Sequence, residues 1–391
     1  MLLAPPRSCF RYALLPQTVN FFGLGGSVPD SLPMKALPAH PQTAPSFFDP
    51  RSHEPSALFA AGRAAGLSDD ALLRWAGAVI GSGERAAERV LSEARIARRF
   101  SLSGLFHDLP SLSLAKHVRS ERDGFEKLLF ETHDGLKIET VLIPLLKERA
   151  VSICLSSQVG CVMGCTFCAT ARMATRRNLD AWEILDQFAQ ARSIVKSQGR
   201  RVTGAVFMGM GEPFLNFGNV ITAAKWLHFP VKDAISGKAI TISTVGLVQE
   251  IEKFTSLNLP FRLSISLGAA TDEKRARLVP VAARTPVQSV MAAARQHAAA
   301  RRDRVNLSYV CIKDENVSIE DARALAGLIG DTPVRLDLID VTDLSGRYAP
   351  PSEAELKAFR DALSEYLKQP VARRYSGGAD IQASCGSLAG S

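Results

Sequence analysis

Three cysteines, Cys161, Cys165 and Cys168, sit close together in the segment Cys154-LSSQVG-Cys161-VMG-Cys165-TF-Cys168. Thiolates at i, i+4 and i+7 on one short loop can each ligate one iron of a [4Fe–4S] cubane. The fourth iron then has no protein thiolate and stays open to a small ligand. Gly160 and Gly164 permit a tight loop around such a cluster, and Phe167 precedes the last ligand, where its ring can pack beside it. The competing reading is a structural zinc site with Cys154 as fourth ligand. Such sites usually use two paired CxxC claws, which this spacing does not supply.

The CxxxCxxC spacing resembles that of radical-SAM enzymes. There the amine and carboxylate of S-adenosylmethionine bind the open iron, and an electron from the cluster cleaves the sulfonium to a 5′-deoxyadenosyl radical. A second feature fits that ligand. Phe207-Met208-Gly209-Met210-Gly211-Glu212-Pro213 follows an apolar β-type run. Glycines after a parallel strand let a ligand approach the backbone, and Glu212 can take an ammonium group in a charge-assisted hydrogen bond. Ser243 and Ser266 end two further β-type runs and offer hydroxyls. Taken singly, a glycine turn and two serines are also ordinary turn formers.

The remaining cysteines are Cys9, Cys154, Cys311 and Cys385. An odd total of seven, four of them within fifteen residues, is no secreted disulfide framework. Cys311 lies in an apolar strand and Cys9 near the N-terminus, so both read as inert. Cys385 lies in a Gly/Ser-rich tail that reads as flexible enough to carry a thiol into a site.

These residues need a scaffold that brings them together. From about residue 150, six β-type runs alternate with amphipathic segments: VSICLS, RVTGAVFMG, AITISTVG, FRLSISLG, RVNLSYVCI and VRLDLIDV. Six βα units predict an α/β fold, an open partial (β/α)6 TIM-type barrel, with function at the carboxyl ends of the strands. The expected layout is a disordered segment over 1–50, a small N-terminal helical domain over 51–115 and a short β extension with a hairpin at Asp134-Gly135 over 116–148. The core follows over 149–370 and a C-terminal segment over 371–391. Met34 is an alternative start. No apolar run reaches the ~20 residues that span a bilayer. The N-terminus, broken by Pro16, Gln17 and Asn20, lacks a signal-peptide core, so a cytoplasmic protein with no membrane association is expected. A net charge of +8 favours an anionic partner, nucleic acid first.

CLSSQVGCVMGCTFCATA, FMGMGEPFLN, ISTVGLV and DIQASCGSLAG together resemble the RlmN/Cfr family of radical-SAM RNA methyltransferases. The likeness runs from Phe125 to the C-terminus. It implies methylation of an adenine carbon, C2-type, in ribosomal or transfer RNA. It implies one [4Fe–4S] cluster on Cys161, Cys165 and Cys168, and S-adenosylmethionine held around Gly211, Glu212, Ser243, Ser266, Leu267, Gly268 and Thr342. One S-adenosylmethionine would methylate Cys385, and a radical from a second would activate that methyl group. Cys154 would then release the product with a transient Cys154–Cys385 disulfide. Glu139 matches the family's proton acceptor; a mid-strand Glu is otherwise usually solvent-facing. The implied partners are RNA, an electron donor such as flavodoxin or ferredoxin, and a thiol reductant, with the enzyme a monomer.

Three positions depart from the family pattern: Gly268 stands for a His, Thr342 for an Asn and Gly377 for an Arg. Arginines cluster at Arg95, Arg98 and Arg99, at Arg172, Arg176 and Arg177, at Arg295, Arg301, Arg302 and Arg304, and at Arg373 and Arg374. Those after the cluster loop are candidates to grip phosphate beside a flipped-out base. The alternatives are a radical-SAM enzyme acting on another substrate or RNA position, and an RNA-binding protein whose catalysis has lapsed.

Overall fold

The computed structural model describes residues 49–64, 66–82, 109–231 and 233–390. The segment 1–48 with Cys9, the third N-terminal helix pattern and Arg95, Arg98 and Arg99 lie outside the described residues. Asp49 and Pro50, expected to fall in the disordered segment, are buried.

The six apolar runs all form strands: β4 (Ala150–Cys154), β7 (Arg201–Phe207), β8 (Ile240–Thr244), β9 (Arg262–Ser266), β10 (Val305–Cys311) and β11 (Val334–Asp340). They pair in parallel in the order β4-β7-β8-β9-β10-β11. Their apolar side chains fill one continuous core, as expected of strands covered by helices. A seventh parallel strand, β12 (Val371–Arg374), adds to β11. At the other edge β1 (Ser113–Arg119), β2 (Glu126–Glu131) and β3 (Lys137–Pro144) join antiparallel to β4, with Val141 opposite Cys154. Residues of β3 and β4 line one cavity together with residues of β11 and β12. The sheet therefore curls until its ends face each other, the partial barrel expected from the sequence. A two-stranded ribbon, β5 (Gln158–Val159) with β6 (Arg177–Asn178), brackets the cluster loop.

Helices α1 (Pro55–Ala64) and α2 (Asp69–Ser82) precede the sheet. The crossover helices are α3 (Ala181–Ser197), α4 (Phe217–His228), α5 (Val248–Ser256), α6 (Asp272–Leu278), α7 (Val287–Arg301), α8 (Ile319–Ile329) and α9 (Glu353–Tyr366). Trp75 of α2 meets Trp226 of α4 edge-on at 6.1 Å, which seats the N-terminal helices on the core. Helices α8 and α9 begin with capping boxes closed by serine hydroxyls, Ser318 with Asp321 and Ser352 with Glu355. Gln187 of α3 accepts from Thr140 Oγ1 at 2.8 Å and from the Ser156 amide at 3.0 Å. That buried amide fixes where the chain leaves β4 toward the cysteines. Among the described residues no helix is long and apolar enough to cross a membrane.

Candidate active site

Beyond the strand ends, residues 155–158 and 207–212 run side by side. Leu155 N–H donates to Val206 O at 2.8 Å, Gly209 N–H to Leu155 O at 3.0 Å and Ser157 N–H to Met210 O at 2.8 Å. This approach needs glycine at two places. A Cβ on Gly209 would lie 2.7 Å from Leu155 O. Gly211 has φ +101°, and a Cβ there would lie 2.6 Å from Gln158 Cβ. Gly211→Ala is therefore expected to weaken S-adenosylmethionine binding about tenfold, through backbone strain and displacement of this turn. Isothermal titration on reconstituted protein measures it; an unchanged affinity would remove the turn from the binding site.

Around this turn lies a cavity of about 1070 Å³, counted to its open mouth. Cys161, Cys165 and Cys168 line it on one side, Gly211, Glu212, Ser243, Ser266, Gly268 and Thr342 on others. So every motif that follows a parallel strand converges here. Burial pushes the Cys161 thiol up to about 12. Burial, then repulsion from Cys168 and Cys161, raises Cys165 well above the usual thiol range. One buried and two half-buried thiols that repel one another as anions suit a positively charged iron cluster. Among the described residues no three His, Cys, Asp or Glu side chains converge where a single ion would sit. A cubane asks only one thiolate of each iron, so the donor set fits it.

Glu212 is buried, and both its oxygens are engaged. Oε1 accepts the Phe214 amide at 3.0 Å and Oε2 the Val245 amide at 2.9 Å. Burial raises its carboxyl to about 7, and these amides pull the other way. It ties the ends of β7 and β8 together while lining the cavity. Leu267 does not line the cavity; its side chain is in the core, and its carbonyl accepts from buried Arg275 at 3.1 Å. Arg275 also donates to Val245 O, so it stitches two of the cavity's loops.

A second cavity of about 490 Å³ adjoins the first. Cys154, Met208, Ile339, Arg374 and Cys385 line it, and all of these except Cys154 also line the first. Burial pushes Cys154 up to about 12; Cys385 raises it further, while Arg374 opposes the shift. The Arg374 guanidinium contacts Met208 Sδ at 3.3 Å. Arg374 appears in the sequence only as one basic residue among many, and nothing local announces its place in the cavity that the two thiols share.

The tail that carries Cys385 is docked, contrary to the flexible segment expected from its glycines and serines. Ser384, Ser387 and Leu388 are buried. The Cys385 amide donates to Ser376 Oγ at 3.1 Å, and Gly386 O accepts the Ala169 amide at 2.8 Å. Thr170 Oγ1 donates to Leu388 O at 2.7 Å. Its small residues let backbone groups approach the cluster loop closely enough for these bonds. Cys311 is fully buried in β10, away from both cavities.

Glu139 lines neither cavity and is fully buried. Several arginines expected to face RNA are already paired. Arg177 binds Asp134 at 2.7 Å and Glu183 at 2.8 Å. Arg373 binds Asp340 and Glu353, each at 2.7 Å. Arg172 also pairs with Asp343, at 3.2 Å, but stays more than a third exposed.

Residues 155–326 match the Radical SAM superfamily. A Myxococcus xanthus protein named "Probable RNA methyltransferase" is 44% identical, covering 80% of this chain and 86% of its own. The Dual-specificity RNA methyltransferase RlmN of Syntrophotalea carbinolica is 39% identical over 70% of this chain and 72% of its own.

The chain belongs to the RlmN-like family of radical-SAM RNA methyltransferases.

The crystal structure of a radical SAM methyltransferase from Sphaerobacter thermophilus agrees in fold, with TM-score 0.77 at 30% identity, covering 88% of this chain and all of that one. Family membership makes the chain an S-adenosylmethionine-dependent methyltransferase with a [4Fe–4S] cluster. Two positions expected to depart from the family pattern have a physical reading in this fold. A Cβ on Gly377 would lie 2.3 Å from the Phe125 ring and 2.7 Å from Asp123 Oδ2. Asp123 accepts from Tyr375 Oη and the Gly378 amide, each at 2.8 Å. Here a turn of the β1–β2 hairpin fills the space a longer side chain would need. Gly268 has φ +77° and gives its carbonyl to Asn316 Nδ2 at 2.9 Å, a backbone that a His would strain.

Proposed function

We propose that this enzyme methylates an adenine carbon of RNA, C2-type, through a methyl group carried on Cys385. The carrying observation is that Cys385 lines both cavities, one with the cysteine triad and one with Cys154. Cys161, Cys165 and Cys168, which line the first cavity, would hold the cluster, and the Gly211–Glu212 turn with Ser243, Ser266, Gly268 and Thr342 would surround the cofactor. When bound, the cluster and S-adenosylmethionine supply the methyl group and a 5′-deoxyadenosyl radical.

Cys385 Sγ accepts the methyl group as a thioether. Loss of one hydrogen atom from that methyl group to the 5′-deoxyadenosyl radical, giving 5′-deoxyadenosine, leaves a radical on the methylene carbon, which adds to an electron-poor adenine carbon that ordinary methyl transfer cannot reach. The ring proton then leaves to solvent and one electron leaves the ring adduct, back to the oxidised cluster, so that an S–CH₂–C link holds the RNA to Cys385. Cys154 attacks Cys385 Sγ; the S–C bond breaks and its electron pair takes a proton, completing the new methyl group. The resulting disulfide is reduced by an external thiol, which supplies two electrons. Burial keeps Cys154 a neutral thiol until then, and Arg374 favours its thiolate. A protein electron donor and RNA are the remaining partners, with exposed Arg172 available to phosphate.

Nucleoside mass spectrometry of ribosomal and transfer RNA, from cells with and without the gene, tests this reading. A methyladenine that disappears with the gene is the expected result. RNA unchanged by deletion would sink it and favour another substrate on the same scaffold, a reading that the departures at Gly268, Thr342 and Gly377 support.

A further inference from the structure

Glu139 is the one sequence-expected catalytic residue that touches neither cavity. Its carboxylate is fully buried in β3. Oε1 lies 2.8 Å from the ammonium of Lys127, itself buried on β2. Oε2 accepts the backbone N–H of Ala389 at 2.9 Å. Burying such a pair carries a large desolvation cost, so its worth lies in the geometry it enforces. Ala389 is four residues beyond Cys385. Between them the segment is held to the cluster loop by the Ala169 amide on Gly386 O and by Thr170 Oγ1 on Leu388 O. Those two bonds tie the tail to a loop, whereas Glu139 ties it to a strand inside the sheet.

We infer that Glu139 is a positioning residue: by holding the Ala389 amide it fixes the strap that keeps Cys385 between the two cavities, and it takes no proton from the substrate. This rests on the reading of Cys385 and Cys154 as the working thiol pair. A carboxylate between a buried ammonium and a backbone amide has no free path to an RNA base, whereas a fixed acceptor at the end of a glycine-rich segment limits where its thiol can lie.

The decisive variant is Ala389→Pro, which removes the amide donor and leaves the Glu139–Lys127 pair intact. The readout needs no cofactor: the rate of Cys154–Cys385 disulfide formation under a mild oxidant, followed by alkylation and mass spectrometry. Ala389→Pro is expected to slow it about tenfold or more, the worth of a charge-assisted buried hydrogen bond. RNA methylation should fall in parallel. Glu139→Ala should match that loss, and Glu139→Ala with Ala389→Pro should be no worse than either alone. Glu139→Gln should restore most of both rates, since its carbonyl still accepts the amide. A proton acceptor would behave oppositely. Ala389→Pro would be harmless, Glu139→Gln as damaging as Glu139→Ala, and the disulfide rate unmoved. Either an unchanged disulfide rate in Ala389→Pro or multiplying losses in the double variant overturns the inference. Failure of the methyl-carrier reading shows separately, as Cys385→Ala enzyme that still methylates RNA.

Discussion

Cys154→Ala enzyme should stall with RNA bonded to Cys385, while Cys385→Ala enzyme should form neither adduct nor product. The two thiols share a cavity, so one can attack the other without a large movement of the fold. Their roles differ because their surroundings differ. Cys385 also faces the cavity with the triad, whereas Cys154 is deeper, buried and held as a neutral thiol. Without Cys154 the thiols that share a cavity with Cys385, among the described residues, are those of the triad, which the cluster would occupy. Cys311, buried in β10, lines neither cavity and cannot substitute. Denaturing gel electrophoresis with labelled RNA reads the adduct, and nuclease digestion with peptide mass spectrometry locates it. Turnover should fall by roughly a thousandfold or more in both variants, as when a covalent participant is deleted. Turnover at the parental rate in Cys154→Ala, with no accumulated adduct, would remove Cys154 from the reaction.

Some of this was legible in the sequence because it is local. The triad's spacing requires no knowledge of the fold, and each apolar run of six to nine residues yields a strand of five to seven where its neighbours cover both faces. The helix segment Ala181–Ser197 begins and ends where its periodicity does. The edges of the sheet were less legible. Strand β12 is four residues, two of them arginines, and resembles a charged loop until it pairs with β11. Strand β1 is mostly exposed and carries no alternating apolar pattern. The relation of Arg374 to Cys154 depends on the curl that brings β12 round to β4, across more than two hundred residues. Glu139 shows the same limit. Its strand and match to the family were visible, but not that its oxygens face Lys127 and the tail. Glycine and serine in the C-terminal segment suggested mobility, yet small residues also permit the close backbone contacts that dock it.

Replacing Cys161, Cys165 or Cys168 by alanine is expected to cost all the iron while leaving the chain folded. Reconstituted anaerobically, the parent should be brown with about four irons per chain, and each variant colourless. The cluster loop has its own protein contacts. Cys165 and Phe167 pack on a small apolar cluster of Ala269, Leu278, Val279, Ile312 and Val341. The Thr166 amide donates to Leu278 O at 3.0 Å, and Thr166 Oγ1 lies 2.9 Å from Tyr348 Oη. Removing one sulfur should therefore lower the melting temperature only slightly, as for most single losses of a small side chain at a half-buried site. The fourth cysteine makes the experiment decisive. Cys154 lies in the second cavity, with its thiol toward Cys385 and Arg374 and outside the lining that the triad shares. Cys154→Ala should keep the iron and the colour, because a three-thiolate cubane does not use it. If Cys154→Ala instead lost metal together with the triad variants, and the parent held a single zinc ion, the site would be a four-thiolate structural centre and no radical chemistry could follow from it. Retained iron in Cys154→Ala beside lost iron in the three others would divide four cysteines of one short segment into three that generate reactivity and one that ends it.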